Sequence, residues 1–391
     1  MIIRRLSVML LIGALVISML GGCNRANSTG PLIIKEQGSF SAGGTVISQK
    51  GSYDPKNPFT PDGQTLHGDH ADVFYQIPEN AKKYPLVFLH GAGQSKRSWE
   101  TTPDGREGFQ NIFLRRGFGV YLVDQPRRGA AGQSTVPEQI APLPQDQMWA
   151  TQFRIGRMPA FYDGVQFPQD EKSMDQFYRW MTPNTGAYDE EVISNAMSAV
   201  FDKSGPGILV THSQGGSPGW KTAMKNDNVR AVVAYEPAAF IFPEGEAPDP
   251  IPNKFSGVLP AATAPMDNFM KLTKIPIVVY YGDNIPEKLS DVPAEDFWRA
   301  GLEMANKWAK VVNSHGGDVT IVHLPAEGIH GNTHFLFSDL NNVQVADHLS
   351  SWLAKKGFDV KKQELVFQSN FYQIIPDHPC PMSPYIRADV G

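Results

Sequence analysis

The run Thr211-His212-Ser213-Gln214-Gly215-Gly216 sets a serine among small residues where one pattern of the chain gives way to another. Before it stand the apolar residues Gly207-Ile208-Leu209-Val210, and after it, from Trp220 to Lys225, the pattern is helical. Strand, sharp turn with Ser at its tip, then helix is the layout of a nucleophile elbow. Such a turn holds the serine in a strained backbone, so its neighbours must be small. Gly215 and Gly216 let the following helix pack close to the strand and aim its N-terminal N–H groups at Ser213. One position departs from the usual signature, with Thr211 standing where Gly is common.

A serine hydroxyl is a weak nucleophile, so it needs a base, and the base needs an orienting acid. Behind an elbow of this kind the two follow the serine in the order acid, then histidine, at the ends of later strands. Of ten histidines, His67, His70, His90 and His212 precede the serine, and His315 and His323 fall before or inside the last strand. His348 lies within the last helix and His378 in the tail, which leaves His330 and His334 in the loop Gly328–His334. Two acids compete: Glu236, which ends the run Ala231–Tyr235, and Asp283, which ends Ile277–Tyr281. An oxyanion hole is expected in His90-Gly91-Ala92-Gly93-Gln94, after the first buried strand. Its donors would be the N–H of Ala92 (or Gly93) and the N–H of Gln214, with His90 as a loop brace.

The elements that must position these residues can be read from the apolar pattern. Short alternating runs, Thr45–Ser48 and Ala71–Ile77, predict an antiparallel entry. Near-continuous β-branched or apolar runs then recur at Tyr84–Leu89, Gly119–Val123, Ile208–Val210, Ala231–Tyr235, Ile277–Tyr281 and Val319–Val322. Strands of that kind are covered on both faces, as in a parallel sheet. Helices are expected between them at 108–116, 216–226, 294–314 and 343–356, which gives an α/β sheet. The interval from Val136 to about Tyr188 breaks the rhythm with Pro, Gln, Met and aromatic residues. It reads as a cap or lid insertion, most of whose aromatics pack it onto the body. A second, Pro-rich stretch, Pro243–Pro265, is a candidate for the other rim of the pocket.

Charged residues make up only 19% of the chain and the net charge is −5, which gives no electrostatic case for nucleic acid or for an anionic membrane surface. Arg4 and Arg5 followed by the apolar core Leu6–Leu20 read as a leader in residues 1–23. Leu20-Gly21-Gly22-Cys23 resembles a bacterial lipobox, with Cys23 as the lipidated first residue and 24–30 as a polar tether. A secretory leader cut near Ala26, or an uncleaved anchor, are the alternatives, although the apolar core is short for a span of ~20 residues. All three put residues 31–391 outside the cytoplasm, as a cell-envelope lipoprotein or a secreted protein. With Cys23 lipidated or removed, Cys380 has no partner in the chain, so neither a disulfide framework nor a cysteine metal site is expected. No His-Glu-x-x-His string or phosphate-cradling loop beside a lysine is present, so neither metal nor cofactor is expected.

Several strings together resemble the secreted bacterial α/β-hydrolase esterases typified by an Alcaligenes esterase. They are Leu89-His90-Gly91 through Trp99–Gly108, Val123–Gly129, Ser213-Gln214-Gly215, Tyr235-Glu236-Pro237 and Gly331-Asn332-Thr333-His334, within a likeness from about Gly44 to Trp352. The resemblance implies an α/β-hydrolase fold: a mostly parallel central sheet flanked by helices, with a cap insertion. It assigns the acid to Glu236 and the base to His334. That group carries two adjacent cysteines, joined by a disulfide, where this chain has Ala92 and Gly93. The loop must therefore be more mobile, or stiffened by Trp99 and polar residues around it. The activity implied is hydrolysis of a carboxylic ester through an acyl-enzyme on Ser213, while the aromatic, Met-bearing insertion, not the resemblance, suggests an apolar or aromatic substrate. A lactonase or amidase would use the same machinery, and a ligand-binding lipoprotein without catalysis is the reading from another class.

Overall fold

A computed structural model of the chain describes residues 30–362. The expected leader, nearly all of the tether, Cys23 and Cys380 lie outside them.

The strands are β1 (Ile34–Ser48), β2 (Thr65–Pro78), β3 (Leu86–Leu89), β4 (Val120–Asp124), β5 (Gly207–His212), β6 (Val229–Tyr235), β7 (Pro276–Tyr281) and β8 (Asp318–His323). They form one eight-stranded sheet in the order β1-β2-β4-β3-β5-β6-β7-β8. The pairs β1·β2 and β2·β4 are antiparallel, and every other pair is parallel. All six expected buried runs are strands of the parallel part. The expected entry is a longer hairpin than the alternation marks, because β1 and β2 extend well beyond Thr45–Ser48 and Ala71–Ile77.

The continuous apolar strands are explained by what covers them. Along each strand alternate residues feed two separate cores, as the period-2 pleat requires. Phe88, Val210, Val233 and Tyr280 face the layer made with the helices Phe109–Arg115 and Asn342–Lys355. Leu89, Leu209, Val232 and Val279 face the layer made with Glu190–Ser204, Gly216–Lys225 and Pro293–Ser314. Each fully buried aliphatic or aromatic side chain contributes roughly 1.5–3 kcal/mol by leaving water. The helix Glu190–Ser204 was not anticipated, although its ends carry local signals. The Asp189 side chain accepts from the N–H groups of Glu191 and Val192, and Gly205 ends it with φ 74°.

The segment 136–188 adds no strand to this sheet. It holds the helices Asp146–Gln152 and Glu171–Tyr178 and a short antiparallel pair, Gly156–Arg157 with Ala160–Phe161. Phe153, Phe167, Phe177 and Trp180 are buried in the first core beside Phe335, so these aromatics pack the segment onto the body. The Pro-rich stretch 243–265 packs on the helix Pro293–Ser314, where Arg299 Nη2 donates to the Pro252 carbonyl at 2.7 Å.

Candidate active site

β5 delivers Ser213 to the tip of its turn at φ 51°, a left-handed conformation that a residue with a side chain adopts only when its surroundings force it. The force is close packing of the following helix. A Cβ on Gly215 would stand 2.6 Å from the His90 carbonyl oxygen, and one on Gly219 would stand 2.6 Å from Thr211 Cγ2. The second contact accounts for the departure at Thr211: the helix, not the strand, makes the room. Ser213 is half-buried, whereas His212 before it is fully buried.

The loop after β8 brings His334 to this turn. His212 Nε2–H donates to the His334 carbonyl oxygen at 3.0 Å, and the two rings lie 4.4 Å apart. His334 Nδ1–H donates to Glu236 Oε2 at 2.5 Å, and both residues are completely buried. Glu236 sits just past β6, itself at φ 49°, and its Oε1 accepts from the Gly282 N–H at 2.6 Å. Asp283 is engaged elsewhere: it accepts from the N–H of Gly331 at 2.8 Å and of Asn284 at 2.7 Å, and lies 3.5 Å from His330. The structure thus pairs Glu236 with His334 and Asp283 with the exposed His330. Among the described residues His334 Nε2 is buried without a hydrogen-bond partner, and no Ser213–His334 hydrogen bond is formed.

The electrostatics suit a neutral base beside an ionised acid. Burial pushes the His334 imidazole below its ordinary pKa, against the opposing pull of the Glu236 hydrogen bond and charge. Burial would raise the Glu236 carboxyl, but the Arg154 guanidinium and the His334 hydrogen bond outweigh it and hold the group down to about 2. Arg154, from the segment 136–188, is completely buried and its Nη2 donates to Glu236 Oε1. It was not singled out from sequence. The readable signal was a charged residue enclosed by apolar ones, Phe153-Arg154-Ile155.

Ala92 and Gly93 form a turn in which Gln94 N–H donates to the Gly91 carbonyl at 3.3 Å. Among the described residues the Ala92 N–H donates to no group. Gly91 lies against the elbow, since a Cβ there would stand 2.8 Å from Ser213 Cβ. The stiffening sought in place of a disulfide comes from Arg128. Its Nη1 donates to the carbonyls of Gly91 (3.2 Å) and Gln94 (3.1 Å), while its Nε donates to Asn184 Oδ1 at 2.7 Å. His90 braces the same loop by donating from Nδ1 to the Gly91 carbonyl at 3.0 Å and accepting at Nε2 from the Gln125 N–H at 3.3 Å. Trp99 is buried 4.1 Å from the Phe337 ring, and Arg106 donates to the carbonyls of Ser338 and Asp339. The string Trp99–Gly108 therefore holds the far end of the loop that carries His334.

Ala92 and Gln214 both line an open cavity of about 530 Å³ with Arg128, Ile140, Leu143 and Trp149. Met181 and Asn184 also line it, and the stretch 243–265 does not. Among the described residues there is no cluster of side chains that could hold a metal ion, and no helix is long and apolar enough to cross a membrane.

The chain matches the family described as "Alpha/beta hydrolase family" over residues 86–356. It is 29% identical over 321 residues to a probable secreted lipase of a Fungal sp., spanning 72% of this chain and 84% of that protein. Its fold is similar to that of a bacterial esterase solved at atomic resolution, with TM-score 0.67 and 29% identity, over 83% of this chain and 97% of that one.

Proposed function

The chain belongs to the alpha/beta hydrolase family, and on that premise we propose that it is an exported serine carboxylic-ester hydrolase working through an acyl-enzyme. Ser213 Oγ attacks the ester carbonyl carbon as its proton passes to His334 Nε2. The resulting alkoxide is met by the N–H groups of Ala92 and Gln214. Collapse breaks the bond to the alcohol, which leaves with the proton from His334. Water, deprotonated by the same nitrogen, then attacks the acyl-Ser213 ester and releases the acid. Glu236 fixes the Nδ1–H tautomer and stabilises the imidazolium.

The observation that carries this reading is the buried His334–Glu236 hydrogen bond held beside a strained Ser213. The hydrogen bond from Ser213 Oγ to His334 Nε2, which is not formed in this structure, would form in the substrate complex. The segment 136–188 acts as a cap over the cavity, and its apolar wall of Ile140, Leu143, Trp149 and Met181 favours esters with an apolar or aromatic group. The secreted lipase relative supports export, and Cys23 of the lipobox-like string is the anchor we assign. Replacing Ser213 with Ala should lower p-nitrophenyl ester turnover by about 10⁴-fold or more with an unchanged melting temperature. Turnover retained by that variant would move the nucleophile elsewhere.

A further inference from the structure

We propose that Arg154 is a positioning residue of this site, a cap-borne cation that holds Glu236 in register and so sets the basicity of His334. The inference rests on the assignment of Ser213, His334 and Glu236 made above. It starts from where the acid's two oxygens go. Among the described residues Oε2 serves His334 alone, while Oε1 takes Arg154 Nη2 and the Gly282 N–H. The guanidinium is itself fixed. Its Nε donates to the Asp283 carbonyl at 2.8 Å, and it lies 5.3 Å over the Trp298 ring.

The neighbouring residue grips the base. The His334 N–H donates to the Phe153 carbonyl at 2.9 Å, and the Phe153 ring stacks on the imidazole at 5.2 Å with the planes 8° apart. Trp298 closes the arrangement: its ring lies 4.3 Å from that of His334 and its Nε1–H donates to the Gln152 carbonyl at 2.7 Å. Three consecutive residues of the segment 136–188 thus bind the acid, the base and the helix behind them. Displacing that segment would separate the carboxylate from its counter-charge inside the protein, which is strongly unfavourable. Cap and triad are therefore one mechanical unit.

Among the described residues, the groups that face Glu236 and His334 are Arg154, His212 at the end of β5, Tyr281 at the end of β7, Asp283 past it, His323 at the end of β8 and Asp339 on the His334 loop. Of these only Arg154 is a fixed cation. Its charge disfavours a second positive charge on His334 and tempers the pull of Glu236, so its removal makes the imidazole more basic. Arg154 is completely buried, with its guanidinium on Glu236, the Asp283 carbonyl and the Trp298 ring, so substrate binding should change little.

The test is the pH profile of p-nitrophenyl ester hydrolysis by wild type and Arg154→Met. We expect kcat to fall by about tenfold or more with KM nearly unchanged. The acid limb of kcat/KM should move up by about half a pH unit or more. Arg154→Lys should restore most of the wild-type profile. Wild-type kcat and an unmoved acid limb in a folded Arg154→Met protein would overturn the proposal. Should Arg154→Met not fold, Glu236→Gln and the double variant Arg154→Met/Glu236→Gln decide, read by the rate of fluorophosphonate labelling of Ser213. Equal labelling rates mean that Arg154 acts through Glu236, whereas a further loss in the double variant would refute that route. Wild-type protein that is neither labelled at Ser213 nor impaired by Ser213→Ala would overturn the catalytic assignment and this inference together.

Discussion

At the scale of single residues, His334 is held on three sides by three segments: Nδ1 by Glu236, its N–H by Phe153 and its carbonyl by His212. A base so enclosed should be neutral at ordinary pH. Burial lowers its pKa more than Glu236 restores it, so activity should be lost as pH falls through a value below the usual imidazole pKa of about 6.5. The pH profile of kcat/KM measures this, and an acid limb centred well above that value would disagree. Glu236→Ala should cut turnover by about 10⁴-fold, whereas Asp283→Ala should stay near wild type. Steady-state kinetics on the two variants rank them directly. The sequence left these pairings open because both acids end adjacent parallel strands and both histidines share one short loop. Only the family resemblance pointed to Glu236 and His334, and the pairing itself is a matter of geometry. The string Phe153-Arg154-Ile155 marks Arg154 as a charge among apolar residues, but its pairing with Glu236 was not legible, since that partner lies far along the chain and no local motif joins them.

At the scale of elements, the turn Gly91–Gln94 is squeezed between the elbow and Arg128. Gly91→Ala would place a methyl group 2.8 Å from Ser213 Cβ and 2.9 Å from His212 Nδ1. One partner must shift, so the Ala92 N–H and Ser213, in the roles proposed for them, lose their mutual register. A loss of about 10²–10³-fold in kcat is expected, comparable to deleting an oxyanion donor. Kinetics on a variant with near-native melting temperature would check it. Trp99→Ala should act differently, by destabilising the fold about 3–5 kcal/mol through a cavity between Phe88 and Phe337. Chemical denaturation measures that. The strands of the sheet were legible here because buried parallel strands are continuous apolar runs, and the helices Phe109–Arg115, Gly216–Lys225, Pro293–Ser314 and Asn342–Lys355 fall in the intervals between them. The helix Glu190–Ser204 was not, since it follows directly on an irregular segment. Its Asp189 cap and terminal Gly205 are signals of two residues rather than a long period.

At the scale of the whole molecule, one sheet with two cores carries serine, acid and histidine at the ends of β5 and β6 and after β8, while the segment 136–188 reaches back to them. The alternation of buried runs with helices made that architecture readable, but the contacts of the segment 136–188 with Glu236 and His334 appear only once the chain is folded. Attachment is a separate property. Cys23→Ser, expressed with its leader in a bacterial host, should shift the protein from the membrane fraction to the soluble one, because the anchor we assign is the lipid on that residue. Fractionation unchanged by the substitution would argue for secretion without a lipid. The claim on which the rest depends is that Ser213 forms a covalent acyl-enzyme. It is tested most directly by treating the active protein with a fluorophosphonate and locating the adduct by peptide mass spectrometry. One adduct on Ser213, formed in step with the loss of ester turnover, is the predicted result. An adduct on another residue, or full turnover by protein labelled at Ser213, would contradict it.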